Sequence, residues 1–171
     1  MEKLIYQSSI FIHVVAGIAA LLFGIVAMAT RKVAGQWHSR SGLVYYWSMV
    51  IIFFTNILFF VLDPLNLKYQ FFLTIGMISI YPTWSGKRML SMKKAILPRW
   101  YDKAAAIGIG ISGLIMCAYA AYGFGQAAEF NGLQYLFLIF GGVSLANAYG
   151  DIKIYFGFQE PQKLHWLLAH G

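Results

Sequence analysis

The sequence predicts an all-α protein: a polytopic transmembrane helical bundle of five full spans plus a partial sixth helix. Three observations predict it. The 171 residues are 60% hydrophobic and only 11% charged, whereas a soluble domain carries about 25% charged residues. Long apolar runs recur along the chain, most of them near the roughly 20 residues that cross a bilayer. The basic residues gather in alternate loops between those runs. Only short loops lie outside the runs, so 1–171 is expected to form a single transmembrane domain with the lipid bilayer as its surroundings.

The first run, 8–30, contains no Asp, Glu, Lys or Arg. His13 lies inside it, and Gly17, Leu21, Gly24 and Met28 follow at helical spacing, which predicts one shared face. The run is longer than the core of a signal peptide, and Arg31 and Lys32 follow it rather than precede it, so cleavage is not expected. The second run, 43–62, opens on Tyr45, Tyr46 and Trp47, an aromatic belt. It should end at Asp63-Pro64, because the residue before a proline avoids helical geometry. Asn56, inside it, is expected to face another helix, since lipid cannot satisfy an amide.

The third run, 69–86, is less apolar, and Pro82 should kink it. The fourth, 104–124, places Ala106, Gly110, Gly113, Cys117 and Ala120 on one face. Small residues at that spacing let helix backbones approach closely. That face is expected to pack in the bundle centre, or to join a homo-oligomer or larger membrane complex. The fifth run, 133–158, carries Ser144, Asn147, Asp151 and Tyr155 as a polar stripe that should face protein or water, a candidate polar path. In the tail, Pro161 and the apolar residues after it read as the start of the sixth helix.

Loop charge predicts orientation. The loops at 31–40 and 87–103 and the tail after the fifth run hold eleven Lys and Arg; the opposite side has only Lys3 and Lys68. The positive-inside rule then places the N-terminus outside and the basic loops in the cytoplasm. The net charge of +7 follows this topological pattern and does not point to nucleic acid. Cys117 is the single cysteine, so no intramolecular disulfide forms and cysteine alone supplies no metal site.

Four histidines are the candidate cofactor ligands: His13, His38, His165 and His170. His13 and His170 enter from opposite sides and should differ in depth by about 10 Å, too far to share one haem. His38 and His165 fall at similar depth, with Asp151 near that level. That permits a metal site of His38, His165 and Asp151, or a proton relay through Asn147 and Tyr155. No HExxH, C-x-x-C or i, i+4 histidine pair is present, and five residues rotate His165 and His170 about 140° apart on a helix. Each histidine also has a structural alternative as an interfacial anchor or a donor to a neighbouring helix.

The opening, His13-x3-Gly17-x2-Ala20-Leu21-x2-Gly24 followed by His38-x3-Gly42-x2-Tyr45, resembles a family of uncharacterised bacterial multi-pass membrane proteins, a domain-of-unknown-function family. Trp166-x3-His170 resembles its later segment, which continues into a further helix. The resemblance implies a helical protein of the bacterial inner membrane with recurring histidines, and favours His13, His38 and His170 as functional residues. It implies no known reaction.

Three functional classes follow. The first is a redox-related protein whose histidines bind haem or a transition metal. The second is a small transporter or channel using the Ser144, Asn147 and Asp151 face. The third is a non-catalytic subunit or assembly factor. The first ranks ahead, since no inverted repeat supports transport.

Overall fold

The computed structural model describes residues 2–31, 36–91, 98–126 and 130–158. Five long helices account for most of them: α1 (Glu2–Ala29), α2 (Gln36–Leu62), α3 (Leu67–Ser91), α4 (Trp100–Gly125) and α5 (Leu133–Tyr155). No strand occurs among the described residues. Four segments, Leu4–Ala29, Gln36–Leu62, Trp100–Gly125 and Leu133–Tyr155, are long and apolar enough to cross a membrane, as in a multi-pass membrane protein. Their outward faces carry large exposed apolar side chains, such as Phe11, Leu21, Phe54, Leu114 and Ile139. The third helix, with Gln70, Thr74, Ser79, Pro82, Thr83 and Ser85, falls outside that set. The predicted sixth helix lies outside the described residues. The chain divides into two compact units, Met1–Gly76 and Met77–Gly171, with the division inside α3.

In the first unit, α1 and α2 pack antiparallel. Three contacts set the register: His13 with Thr55, Gly24 with the Tyr45 ring, and the Ala27 carbonyl with His38. The face shared by His13, Gly17, Leu21, Gly24 and Met28 coincides only in part with the buried face of α1. Leu21 is 66% and Met28 79% exposed, while Ser9, Ala16 and Ala20 are buried. At 100° per residue, Gly17, Leu21, Gly24 and Met28 lie up to about 80° to one side of His13, whereas Ser9, Ala16 and Ala20 lie on its other side. The face that meets α2 is therefore Ser9, His13, Ala16, Ala20, Gly24 and Ala27.

α2 ends at Leu62, as Asp63-Pro64 requires. It begins at Gln36, a full turn and more before the apolar run, so His38 lies within the helix. Asn56 is buried and lies against Gly76 of α3. A Cβ at position 76 would come within 2.6 Å of Asn56 Nδ2. Tyr6 and Tyr69 join by their hydroxyls at 2.7 Å, with Phe59 against both rings.

In the second unit, α4 and α5 pack antiparallel at close backbone range. A Cβ at Gly113 would lie 2.9 Å from Ser144 Cβ and 3.0 Å from the Gly141 carbonyl. A Cβ at Gly141 would lie 2.7 Å from Cys117 Sγ. Ala106 and Ala120, on the same side of α4, are fully buried. The small-residue face of α4 therefore has its partner in the same chain. It is filled by α5 and does not lie open to a second copy.

α3 runs through Pro82 as one helix and extends five residues past the expected end, to Ser91. Pro82 has no N–H for the Ile78 carbonyl, and Thr83 Oγ1 donates to the Ser79 carbonyl at 2.9 Å. α4 starts four residues earlier than expected, at Trp100, because Asp102 accepts from the Arg99 N–H at 2.8 Å and caps it. α5 stops three residues early. Gly157, at φ +77°, lets the Phe158 N–H reach the Lys153 carbonyl at 2.8 Å and its own N–H reach Ile154 at 3.2 Å, closing the helix.

The two glycines 113 and 142 make a paired test of this packing. Gly113→Leu should destabilise the protein by roughly 1–3 kcal/mol, since the side chain must separate touching backbones. Gly142→Leu should be tolerated, because a Cβ there meets nothing within 4 Å. Thermal melting in detergent reads both. Equal melting of the two variants would contradict the α4–α5 register.

Candidate functional site

The second unit gathers most of its hydrogen-bonding side chains at one end of the α4–α5 pair. Tyr81, Ser85 and Arg88 stand at i, i+4 and i+7 on α3, one face of the helix. Asp102 stands in the first turn of α4 and Asp151 in the last turn and a half of α5. Antiparallel packing of α4 and α5 brings the start of one level with the end of the other, so the two acids meet the same stretch of α3.

The two acids have different partners. Asp102 is fully buried. Arg88 grips it with a two-pronged contact, Nε to Oδ1 and Nη2 to Oδ2, both 2.9 Å. Oδ2 also accepts the Arg99 backbone N–H. The Arg88 guanidinium sits 4.9 Å from the centre of the Tyr101 ring, and Trp84 meets that ring edge-on. Arg88 is thus held by charge, a planar fork and an aromatic face at once. Asp151 instead accepts from hydroxyls: Tyr81 Oη donates to Oδ2 at 2.5 Å and Ser85 Oγ donates to the same oxygen at 3.3 Å. Tyr155, one turn further along α5, is buried.

The polar stripe of α5 distributes as follows. Ser144 is fully buried beside Gly113, Asn147 is half-buried, Asp151 binds Tyr81, and Tyr155 is buried. The residues that complete the cluster were missed by sequence reasoning: Tyr81, Ser85, Arg88 and Asp102. The signal was present. Tyr81, Ser85 and Arg88 share a helical face, and Asp102 is the lone acid in a run of six bases, three residues after Arg99.

The histidines fall elsewhere. His13 Nδ1 lies 2.7 Å from Thr55 Oγ1, and its ring packs on Phe59 at 5.5 Å. His38 Nδ1 lies 2.8 Å from the Ala27 carbonyl. A carbonyl can only accept, so Nδ1 of His38 carries the proton and a neutral His38 has its acceptor lone pair on Nε2. His13 and Ala27 are fourteen residues apart on α1, about 21 Å along the axis. His13, near the middle of α1, and His38, near the end of the α1–α2 pair, are therefore about 20 Å apart, and one metal or haem cannot take both. His165 and His170 lie outside the described residues. Among the described residues no three His, Cys, Asp or Glu side chains are grouped to hold a metal ion. Asp151 and His38 belong to different units, and the partners given above come from each one's own unit. Comparison with protein-family models, curated proteins and solved structures found no match.

Asp102→Asn should break the Arg88 fork and remove the carboxylate from a partly buried guanidinium. The expected cost is about 1–3 kcal/mol, below that of a fully buried pair because the Arg88 side chain is 22% exposed. A chemical melt of the detergent-purified variant measures it. A melt like that of the wild type would show the pair to be structurally idle.

Proposed function

We propose that the protein is a five-span protein of the bacterial cytoplasmic membrane, N-terminus outside, that binds and releases a proton at Asp151 while moving protons or a proton-linked solute. The supporting observation is the contrast between the two acids of the cluster, Asp102 fully buried and Asp151 half-buried. Asp102 is matched to a guanidinium fork that needs both oxygens unprotonated. Asp151 is matched to hydroxyls from Tyr81 and Ser85, which can donate to a carboxylate and accept from a carboxylic acid. Those two hydrogen bonds can persist in either protonation state. Two carboxylates whose environments separate their roles are the usual arrangement where one works as an acid or base and the other as a fixed charge. An ionisable group within a span is a functional candidate on cost alone.

The five-span topology rests on charge and length. α3 is 25 residues, about 37 Å, and carries no charged residue from 69 to 86. Counting it as a span puts the basic stretches at 31–40 and 87–103 on one side, as the charge rule asks. The resemblance of the opening residues to a bacterial membrane family is in keeping with this.

Histidine ligation retains one supporting observation. His38 holds a carbonyl through Nδ1, the orientation by which ligand histidines present Nε2. A haem or metal there would need a donor from beyond the described residues, with His165 or His170 the candidates. An absorption spectrum with metal analysis of the purified protein decides it. A Soret band or stoichiometric metal lost in His38→Ala would favour this function over proton transfer.

Proton flux into liposomes with a trapped pH dye tests the main proposal. Asp151→Asn should lower flux at least about tenfold, toward the level left when a positioned proton carrier is removed, with melting little changed. Tyr81→Phe should lower it less, because Ser85 remains. Flux in Asp151→Asn equal to wild type would overturn the proposal, as would wild-type flux equal to that of empty liposomes.

A further inference from the structure

At the same end of the second unit, but on its outer surface, two lysines flank a strip of aromatic rings. Tyr149, Lys153 and Phe156 follow at i, i+4 and i+7 along α5 and share one face. The Lys153 ammonium lies 4.3 Å from the Tyr149 ring centre. The Lys103 ammonium reaches across from α4 to lie 5.0 Å from the Phe156 ring. Phe158 stacks on Phe156, held there by the Gly157 turn that closes the helix. The rings are open: Tyr149 is 63% and Phe156 43% exposed. Among the described residues neither lysine has an acidic partner. Two cations are therefore positioned on apolar surface, where a ring face restrains each ammonium but does not neutralise it.

An exposed apolar face leads away from the lysines toward the other end of α5. Ile139, Gly142, Ala146 and Tyr149 continue it. Gly142 and Ala146 are exposed and small, and the space above Gly142 is open, so a chain can lie close to the helix between Ile139 and Tyr149. Two ammonium groups at one end of such a face match a molecule with an anionic head and a hydrocarbon chain.

We propose that this surface binds an anionic phospholipid, its headgroup over the strip that Lys103 and Lys153 flank and an acyl chain along Gly142 and Ala146. A phosphate group alone could meet the lysines, but only a lipid would also use the apolar face. The positions of both lysines at the end of predicted spans place the head at the bilayer surface, where basic side chains meet anionic headgroups. The proposal is independent of any role for Asp151.

Native mass spectrometry of the full chain, delipidated in detergent and titrated with phosphatidylglycerol or phosphatidylcholine, tests this. Wild type should prefer phosphatidylglycerol, and the preference should disappear in high salt. Each lysine near a charged headgroup is worth roughly fivefold, so Lys103→Gln/Lys153→Gln should weaken phosphatidylglycerol about 25-fold and leave phosphatidylcholine unchanged. Lys68→Gln, at the other end of the chain's topology, should change neither. Gly142→Leu, which places a side chain on that face, should weaken both lipids. Equal binding of the two lipids by wild type would overturn the proposal. So would wild-type affinity for phosphatidylglycerol in the double lysine variant. Displacement of phosphatidylglycerol by inorganic phosphate at equal concentration would show an anion site without lipid selectivity and overturn it too. Should the double variant fail to fold, Lys153→Gln alone must still lose about fivefold.

Discussion

Between Gly113 and Gly141 the backbones of α4 and α5 meet with no side chain between them. Apolar surface does not drive helices together in lipid, because the tails are as apolar as the side chains. Close packing and hydrogen bonds must do it. The glycine contact does more than add attraction. It fixes a register in which Gly110 meets Ala148, Gly113 meets Ser144 and Gly123 meets Gln134. In that register the first turn of α4 lies level with the last turn of α5. Asp102 and Tyr155 therefore come to the same depth, and Asp151 follows one turn away. Every polar contact of the cluster depends on that alignment, including those from α3, because Arg88 and Tyr81 on one helix must find acids on two others.

The cluster shows why two acids so near each other need not act alike. A guanidinium fork takes both oxygens of Asp102, and the Arg99 N–H adds a third donor. Adding a proton to that carboxyl would place hydrogen against hydrogen. Hydroxyls impose no such demand on Asp151, since Tyr81 and Ser85 can rotate from donor to acceptor. The helix that supplies both sets of partners is α3. Its reduced hydropathy is the cost of carrying hydroxyls and Arg88 on the face that meets α4 and α5.

Much of the helix pattern was legible, because long apolar runs without charges have few other outcomes. The end of α2 at Leu62 was legible too, since Asp63-Pro64 forbids continuation. Helix starts were less so. α2 and α4 begin before their apolar runs, on polar residues such as Gln36 and Asp102 that hydropathy ignores. The small face of α4 was legible as a packing face, but not its partner, because Gly141 and Ser144 look unremarkable until the register is known. On α1 the set from His13 to Met28 shares a face, but it spans about 80° to one side of His13, and the residues that meet α2, such as Ala16 and Ala20, lie on the other side. In the cluster, Asp151 was visible from its stripe. Its partners were not, because sequence distance says nothing about Tyr81, seventy residues away.

The histidines illustrate the opposite difficulty, a residue type too suggestive for its own position. Both His13 and His38 use Nδ1 to bridge α1 and α2, one near the middle of α1 and one near its C-terminal end. His13 reaches the Thr55 hydroxyl, which also lies within hydrogen-bond distance of the Ile51 and Ile52 carbonyls of its own helix. His38 reaches a carbonyl of α1 directly. Two such bonds about 20 Å apart resist sliding and rotation of one helix on the other, which small apolar faces alone do weakly. A bridging bond of this kind orients the ring, and orientation is also what a ligand histidine requires. The structural duty and the ligand duty therefore share one nitrogen's geometry and differ only at the other. Fixing the helix pair thus accounts for both residues without a cofactor, and a cofactor, where present, would inherit rings already held in place.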